Sequence, residues 1–261
     1  MNSDSRDTIR QIAVWVAAVA TIVVNGLSES IPINNQTSGE IANQFMGQNL
    51  WLPAGYVFSI WGLIYVLFIA YAIFQSLPSQ RENPRLRAIG WPFVISCLAN
   101  MAWLIAFHYD QFLLSMVVMI ILLVVLIWIY LQLRAGAPKV SRGERWTVHL
   151  LFSVYLGWIT VATIANAAHV LVSRGWTGQP LPAVLWLIIM YVAALLIAAL
   201  IAFTKWDVAY LLVLVWAFAG IAVNYLSLPA VAASSIIAAL IALALAVLVA
   251  ARKAWQGKAY A

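Results

Sequence analysis

The chain reads as an all-α, polytopic integral membrane protein, a helical bundle of about eight transmembrane helices. Three observations point there. The 261 residues are 65% hydrophobic and only 8% charged, with a mean hydropathy of +0.97, whereas soluble domains carry roughly 25% charged residues. Apolar stretches of about 20 residues, enough to cross about 30 Å of hydrocarbon, recur along the whole chain. Lysine and arginine fall in alternate connections between those stretches.

The stretches, in order, are Ile12 to Leu27, Ala54 to Gln75, Ile89 to Phe107, Phe112 to Leu133, Val148 to Val172, Leu181 to Phe203, Val208 to Leu228, and Ala230 to Ala251. The first follows Arg6 and Arg10 as a signal peptide would, but Asn25-Gly26-Leu27-Ser28-Glu29-Ser30 makes a poor small-x-small cleavage site. A retained helix is expected. One side of the membrane then receives Arg6 and Arg10; Arg81, Arg85 and Arg87; Arg134, Lys139, Arg142 and Arg145; Lys205; and Arg252, Lys253 and Lys258. The other receives only Arg174. A span missed or invented midway would scramble this separation, so it supports eight helices with both termini cytoplasmic. The net charge of +6 is therefore a topology signal and not a nucleic-acid footprint.

The connection from Ser28 to Leu52 is the longest and holds Glu29 and Glu40 but no Lys or Arg; long loops tend to be lids or partner sites. It leads into Trp51-Leu-Pro53-Ala-Gly55-Tyr56-Val-Phe58, the densest aromatic stretch. Pro53 and Gly55 suit a helix entry, and Phe58, Trp61, Tyr65 and Phe68 fall on one side at a period of 3.6. From Pro180 the texture turns rich in alanine and leucine, with Ser234 and Ser235 suited to close helix contact; a boundary is placed near Gly178. Trp216 precedes Asn224 by the interval that separates Trp158 from Asn166, but two residues at one spacing are weak evidence of a repeat.

Polar residues inside spans are functional candidates. In the fifth span Tyr155, Trp158, Ala162, Ala165, Asn166 and His169 share about a third of the helix circumference. This stripe reads either as a ligand wall, with Trp158 stacking a planar molecule over Ala162 while Asn166 orients it, or as helix packing with Asn166 bonded to a neighbour. Asn100 and Trp103 form a similar pair in the third span. His169 could ligate a metallotetrapyrrole through neutral imidazole or be a satisfied interfacial histidine. His108 and Asp110 fall in a short turn that reads as a solvated connection, and His149 points away from the stripe. Trp51, Trp91, Trp146, Trp176, Trp206 and Trp255 fit an interfacial belt; Trp61, Trp103 and Trp158 do not.

Some classes are disfavoured. No acidic residue lies well inside a span, so a carboxylate proton relay is not expected. No glycine-rich phosphate loop is present. One cysteine, Cys97, and three histidines give neither a disulfide framework nor a closed zinc site. No catalytic residue and no metal site are assigned.

Three blocks resemble the tryptophan-rich sensory protein (TspO) and translocator protein family of five-helix membrane proteins. Trp51-x-Pro53-x-Gly55-Tyr56-Val57-Phe58 with Trp61 and Tyr65 is similar to the family's Trp-x-Pro-Pro-Gly-Trp-Val-Phe entry. Asn100-x-x-Trp103 matches its third-helix pair, and Tyr155-Leu-x-Trp158-x-x-x-Ala162-Thr163-x-x-Asn166 its fifth-helix block. The resemblance covers about Ile9 to Arg174. The second-helix block is one residue shorter between Phe58 and Trp61 and lacks the mid-helix proline. The fourth-helix acidic residue is missing, and only Arg174 stands for the basic residue after the fifth block. A cholesterol-type pattern occurs as Leu126, Tyr130 and Arg134.

The resemblance implies a five-helix core over residues 1–178, to which residues 179–261 add an alanine- and leucine-rich three-helix membrane extension. It also implies binding of porphyrin, haem or similar flat hydrophobic ligands, by a sensor or carrier. Phe58, Trp61, Trp103 and Trp158 would wall the ligand, Ala162 would leave the gap, and Asn100 and Asn166 would orient it, with Tyr65, Tyr155 and His169 completing the ligand-binding set. No cofactor is required; porphyrin or haem would be the ligand. Some family members are proposed to degrade porphyrin photochemically, an activity not deducible from these residues. The alternatives are a secondary transporter or permease and a structural assembly subunit. Expected partners are the lipid bilayer and a hydrophobic small molecule, with no nucleic acid; the resemblance admits a homodimer, with the added helices outside the usual plan. The expected location is a bacterial inner (plasma) membrane.

Overall fold

The computed structural model describes residues 3–45, 48–135 and 140–259; Lys139, one of the topology residues, lies outside them. Its long elements are helices. They are α1 (Ser3–Ser30), the short α2 (Ser38–Asn43), α3 (Ile60–Ser76), α4 (Pro84–His108), α5 (Phe112–Arg134), the single turn α6 (Arg142–Glu144), α7 (Leu150–Ser173), α8 (Ala183–Lys205), α9 (Val208–Asn224) and α10 (Pro229–Ala259). Among the described residues seven helical spans are long and apolar enough to cross a membrane, and α9 is the shorter eighth. The sequence places the seventh span at Val208 to Leu228. The helix stops at Asn224 because residues 225–228 form the turn that delivers Pro229 to the first position of α10, where a missing N–H costs nothing. At 17 residues it is about 25 Å long.

Packing divides the chain into two units, cut otherwise than at the compositional boundary near Gly178. The first takes the chain up to Ile41 and Ser59–Ile159; the second takes Ala42–Phe58 and the residues from Thr160 on.

In the first unit α4 packs on α5 and α1, and α1 packs on α3. Its centre is a run of fully buried rings, Phe68 and Tyr71 from α3, Phe93 from α4 and Phe152 from α7. They meet edge to face: Phe68–Phe93 and Tyr71–Phe93 at 5.0 Å, Tyr71–Phe152 at 5.7 Å. This is the geometry the ring quadrupoles favour. α4 starts cleanly because the Asn83 side chain accepts from Arg85 N and Pro84 occupies the first position.

The basic end of this unit does more than mark topology. Arg10 is buried and donates to Gln75 Oε1 (3.4 Å), Leu86 O (3.3 Å) and Arg81 O (3.1 Å), with Asp7 at 3.5 Å. Asp7, itself buried, accepts from Arg87 Nε at 3.0 Å. Gly90 makes room for the arginine stem, since a Cβ there would lie 2.7 Å from Arg10 Cδ. Arg85 grips Glu144 through two bonds of 2.6 and 2.7 Å, the bidentate fork. Two carboxylates at the helix ends are thus buried and paired, as carboxylates out of water must be.

The cholesterol-type pattern is likewise turned inward. Leu126 and Tyr130 are buried, the Arg134 guanidinium lies 3.6 Å over the Tyr130 ring, and its Nη2 donates to Ser153 Oγ at 2.7 Å. Those residues are spent on packing.

The turn before α2 is a capping box. Glu40 Oε2 accepts from Thr37 N (2.7 Å) and Thr37 Oγ1 (2.9 Å), and Glu40 N donates back to Thr37 Oγ1 at 3.3 Å. The Thr37 amide, and then its hydroxyl, hold the Glu40 carboxyl below its ordinary value. A folded pKa below the unfolded one stabilises the turn above the ordinary glutamate value of about 4.3 and ceases to as pH falls through the folded value. Amide exchange over 38–43, corrected for intrinsic rates, is therefore expected to accelerate on acidification below about pH 4, and Glu40→Gln to remove that pH dependence.

In the second unit α9 and α8 each pack on α10. The buried faces are rich in small residues, Ala194, Ala198 and Ala202 of α8 and Ser235, Ala238, Ala242 and Ala246 of α10. Small side chains let helix backbones approach. Tyr191 OH donates to Ser235 Oγ at 2.7 Å. Asp207 caps α9 by accepting from Tyr210 N.

Candidate functional site

The first unit assembles part of the expected ligand wall. Trp61 and Tyr65, one turn apart on α3, stack at 5.8 Å with 22° between their planes. Trp61 meets Trp158 edge to face at 6.3 Å and Tyr155 at 6.1 Å, both from the first half of α7. Tyr155 and Trp158 are buried, while Trp61 and Tyr65 are partly exposed. Rings from two helices thus meet at the α3 pair, which stays partly exposed.

Polar groups adjoin these rings through Tyr155. Asn100 of α4 is fully buried, and its Oδ1 accepts from Asn25 Nδ2 at 2.9 Å; Asn25 Nδ2 also reaches Thr21 O at 2.8 Å. The Tyr155 hydroxyl faces Asn100, yet neither its oxygen nor Asn100 Nδ2 has a partner at hydrogen-bonding geometry. A buried polar atom left so costs about 1–3 kcal/mol. Trp103 lies almost one turn beyond Asn100, stacks on Phe107 at 5.4 Å, and its Nε1 is also buried without a partner. Asn25, a member of this group, carries no span-interior signal in the sequence because it lies near the end of the first apolar run.

The other expected residues lie in the second unit. Phe58 lies just ahead of α3, in a 3₁₀ turn, Gly55–Ser59, that precedes the first α-helical residue Ile60. Ala162 is half-buried; Asn166 and His169 are buried, the His169 ring edge-on to Phe45 at 4.9 Å. Among the described residues no three His, Cys, Asp or Glu side chains are placed to hold a metal ion. His108 is no solvated turn residue. It is fully buried in the first unit, Nδ1 2.8 Å from Leu104 O and Nε2 3.5 Å from Ser38 Oγ, and its carbonyl accepts from Asn34 Nδ2.

The residues that read as interfacial or coincidental form a clasp in the second unit. Trp51 is no belt residue: it is fully buried, donates to Val161 O at 3.2 Å, and packs against Tyr191 at 5.0 Å and Phe218 at 5.7 Å. The extended segment around it is held through its backbone. Ala54 N donates to Gly220 O (3.0 Å), Trp216 Nε1 to Val57 O (3.0 Å), Asn224 Nδ2 to Leu52 O (2.9 Å) and Tyr225 OH to Asn49 O (3.1 Å). Irregular backbone near a membrane must have its polar groups satisfied by protein. α9 and the turn after it supply them. Trp216, Gly220 and Asn224 repeat the spacing of Trp158, Ala162 and Asn166.

A family model described as TSPO-like protein matches residues 11–249. The chain belongs to this family. No curated protein and no solved structure matches it. The TSPO-like match takes in the three motif blocks and runs on through α8, α9 and most of α10. The last three helices therefore fall inside the family's extent, beyond Arg174 where the motif resemblance ends.

Proposed function

We propose that this membrane protein binds tetrapyrroles such as protoporphyrin or haem, or similarly flat hydrophobic ligands, as a sensor or carrier. The observation that carries the reading is the buried polar pair Asn100 Nδ2 and Tyr155 Oη, facing each other short of hydrogen-bonding geometry, with the Tyr155 ring joined to the aromatic group of Trp61, Tyr65 and Trp158. A planar apolar molecule stacks on aromatic faces and needs a few polar groups to fix its edge. In this reading the protein lies in a bacterial inner membrane with the arginine-rich end cytoplasmic.

Titration of the purified protein with protoporphyrin in detergent, read by tryptophan quenching and by pigment absorbance, tests this. Saturation at one site is expected, with affinity reduced about tenfold or more, or about 1.4 kcal/mol, in both Trp158→Ala and Asn100→Ala. Non-saturating uptake equal in all three proteins overturns it.

A further inference from the structure

The second unit contains a cavity of about 770 Å³ that none of the ten expected site residues lines. Its walls are Thr163, Ala167 and Leu171 of α7 and Ala183, Trp186 and Met190 of α8; residues 48–50 and 176–178 complete it. Small residues on the two helices leave the width. The rim is built deliberately by Gly178. Its φ of +78° suits glycine, a Cβ there would lie 2.9 Å from Trp186 Cδ1, and its carbonyl accepts from Trp186 Nε1 at 2.7 Å. That bond sets Trp186 edge to face with Trp176 at 4.8 Å.

The volume is that of a small-molecule site; the lining decides what enters. It contains no Asp, Glu, Lys, Arg or His. Of its polar groups, Trp186 Nε1 is engaged by Gly178 O and Asn49 Oδ1 by Trp51 N at 3.0 Å, and those of Gln48, Thr163, Trp176 and Thr177 are uncharged. An ionised carboxylate or phosphate would give up hydration here with no counter-charge to replace it, which strongly disfavours it. A tetrapyrrole with charged propionates is thus a poor fit. A hydrocarbon chain meets no such cost and gains dispersion contacts along Leu171, Met190 and the indole faces. Because lipid tails are themselves apolar, retention there rests on shape and not on a hydrophobic driving force.

We propose that this cavity binds an uncharged hydrocarbon chain, of acyl or isoprenoid kind. The test uses the full-length protein in lipid nanodiscs with two probes, hexadecanol carrying a mid-chain diazirine and a phosphatidylcholine carrying the same group on one acyl chain. Photolabelled peptides are then mapped. Saturable labelling concentrated on residues 176–190 is expected, competed by hexadecanol and at least about tenfold less well by hexadecanoate at alkaline pH, a difference of about 1.4 kcal/mol. It should be lost in Ala167→Trp, which fills the cavity, and kept in Trp158→Ala. Met190→Trp, judged beside the thermal midpoint of each variant, covers the case that Ala167→Trp does not fold. Labelling by both probes makes the occupant a membrane-lipid tail, and labelling by hexadecanol alone a free amphiphile; either supports the site. Label that rises linearly with probe, spreads over all lipid-facing helices and is unchanged in both filling variants overturns it.

Discussion

Trp51→Ala is expected to lower the unfolding free energy of the protein in detergent by about 3–5 kcal/mol, the range for truncating a fully buried tryptophan. The indole has no measurable exposure and packs on Tyr191 and Phe218. Its N–H also donates to Val161 O at 3.2 Å. Trp51→Phe separates the two contributions: it keeps an aromatic ring and loses the hydrogen bond, so about 1–2 kcal/mol of the loss is expected to remain. Denaturant or thermal unfolding followed by circular dichroism measures both. Were Trp51 the belt residue that its place at a span entrance implies, truncation would stay within about 0.5 kcal/mol, as for surface substitutions away from structural features. A cost that small would dismiss the packing described for the entry segment.

The two readings of Trp51 show what can be read from a membrane sequence and what cannot. Helix existence was legible because hydrocarbon demands long apolar runs with internally satisfied backbones, and each expected span from Ile12 to Ala251 has its helix. Trp61, Tyr65, Tyr155 and Trp158 were legible as a group because period 3.6 places them on helix faces and motif order ties the helices together. The segment 48–58 was not legible. It has no periodicity, and its partners Gly220, Trp216 and Asn224 lie over 150 residues away, where nothing local marks them. The matched spacing of Trp216–Asn224 and Trp158–Asn166 was the available signal; Gly220 at the same position as Ala162 makes it a three-residue correspondence. Arg10 and Arg85 were read only in part, for a related reason. The topology rule accounts for a cation at a helix end whether it is solvated or buried against Asp7 or Glu144.

Gly220→Ala is where two physical effects of opposite sign meet, and it is expected to destabilise. In the interior of α9 the change from glycine to alanine favours the helix by about 1 kcal/mol. Against this, the new Cβ would lie 2.1 Å from Val57 Cγ2, 3.3 Å from Val57 Cβ and 3.4 Å from Pro53 Cβ. The first distance is far inside van der Waals contact. Relief requires the entry segment to lift, and Ala54 N, which donates to Gly220 O at 3.0 Å, moves with it. Overpacking of this kind costs about 1–3 kcal/mol, so a net loss is expected, together with faster proteolysis within residues 48–58. Val57→Ala removes the offending methyl. In the Gly220→Ala background it should restore most of the stability, giving a coupling energy of about 1 kcal/mol or more in a double-mutant cycle, whereas in the parent protein it is mildly destabilising. A Gly220→Ala protein that is more stable than the parent, with no coupling to Val57, would mean that propensity alone governs the position and that α9 does not hold the entry segment at close quarters.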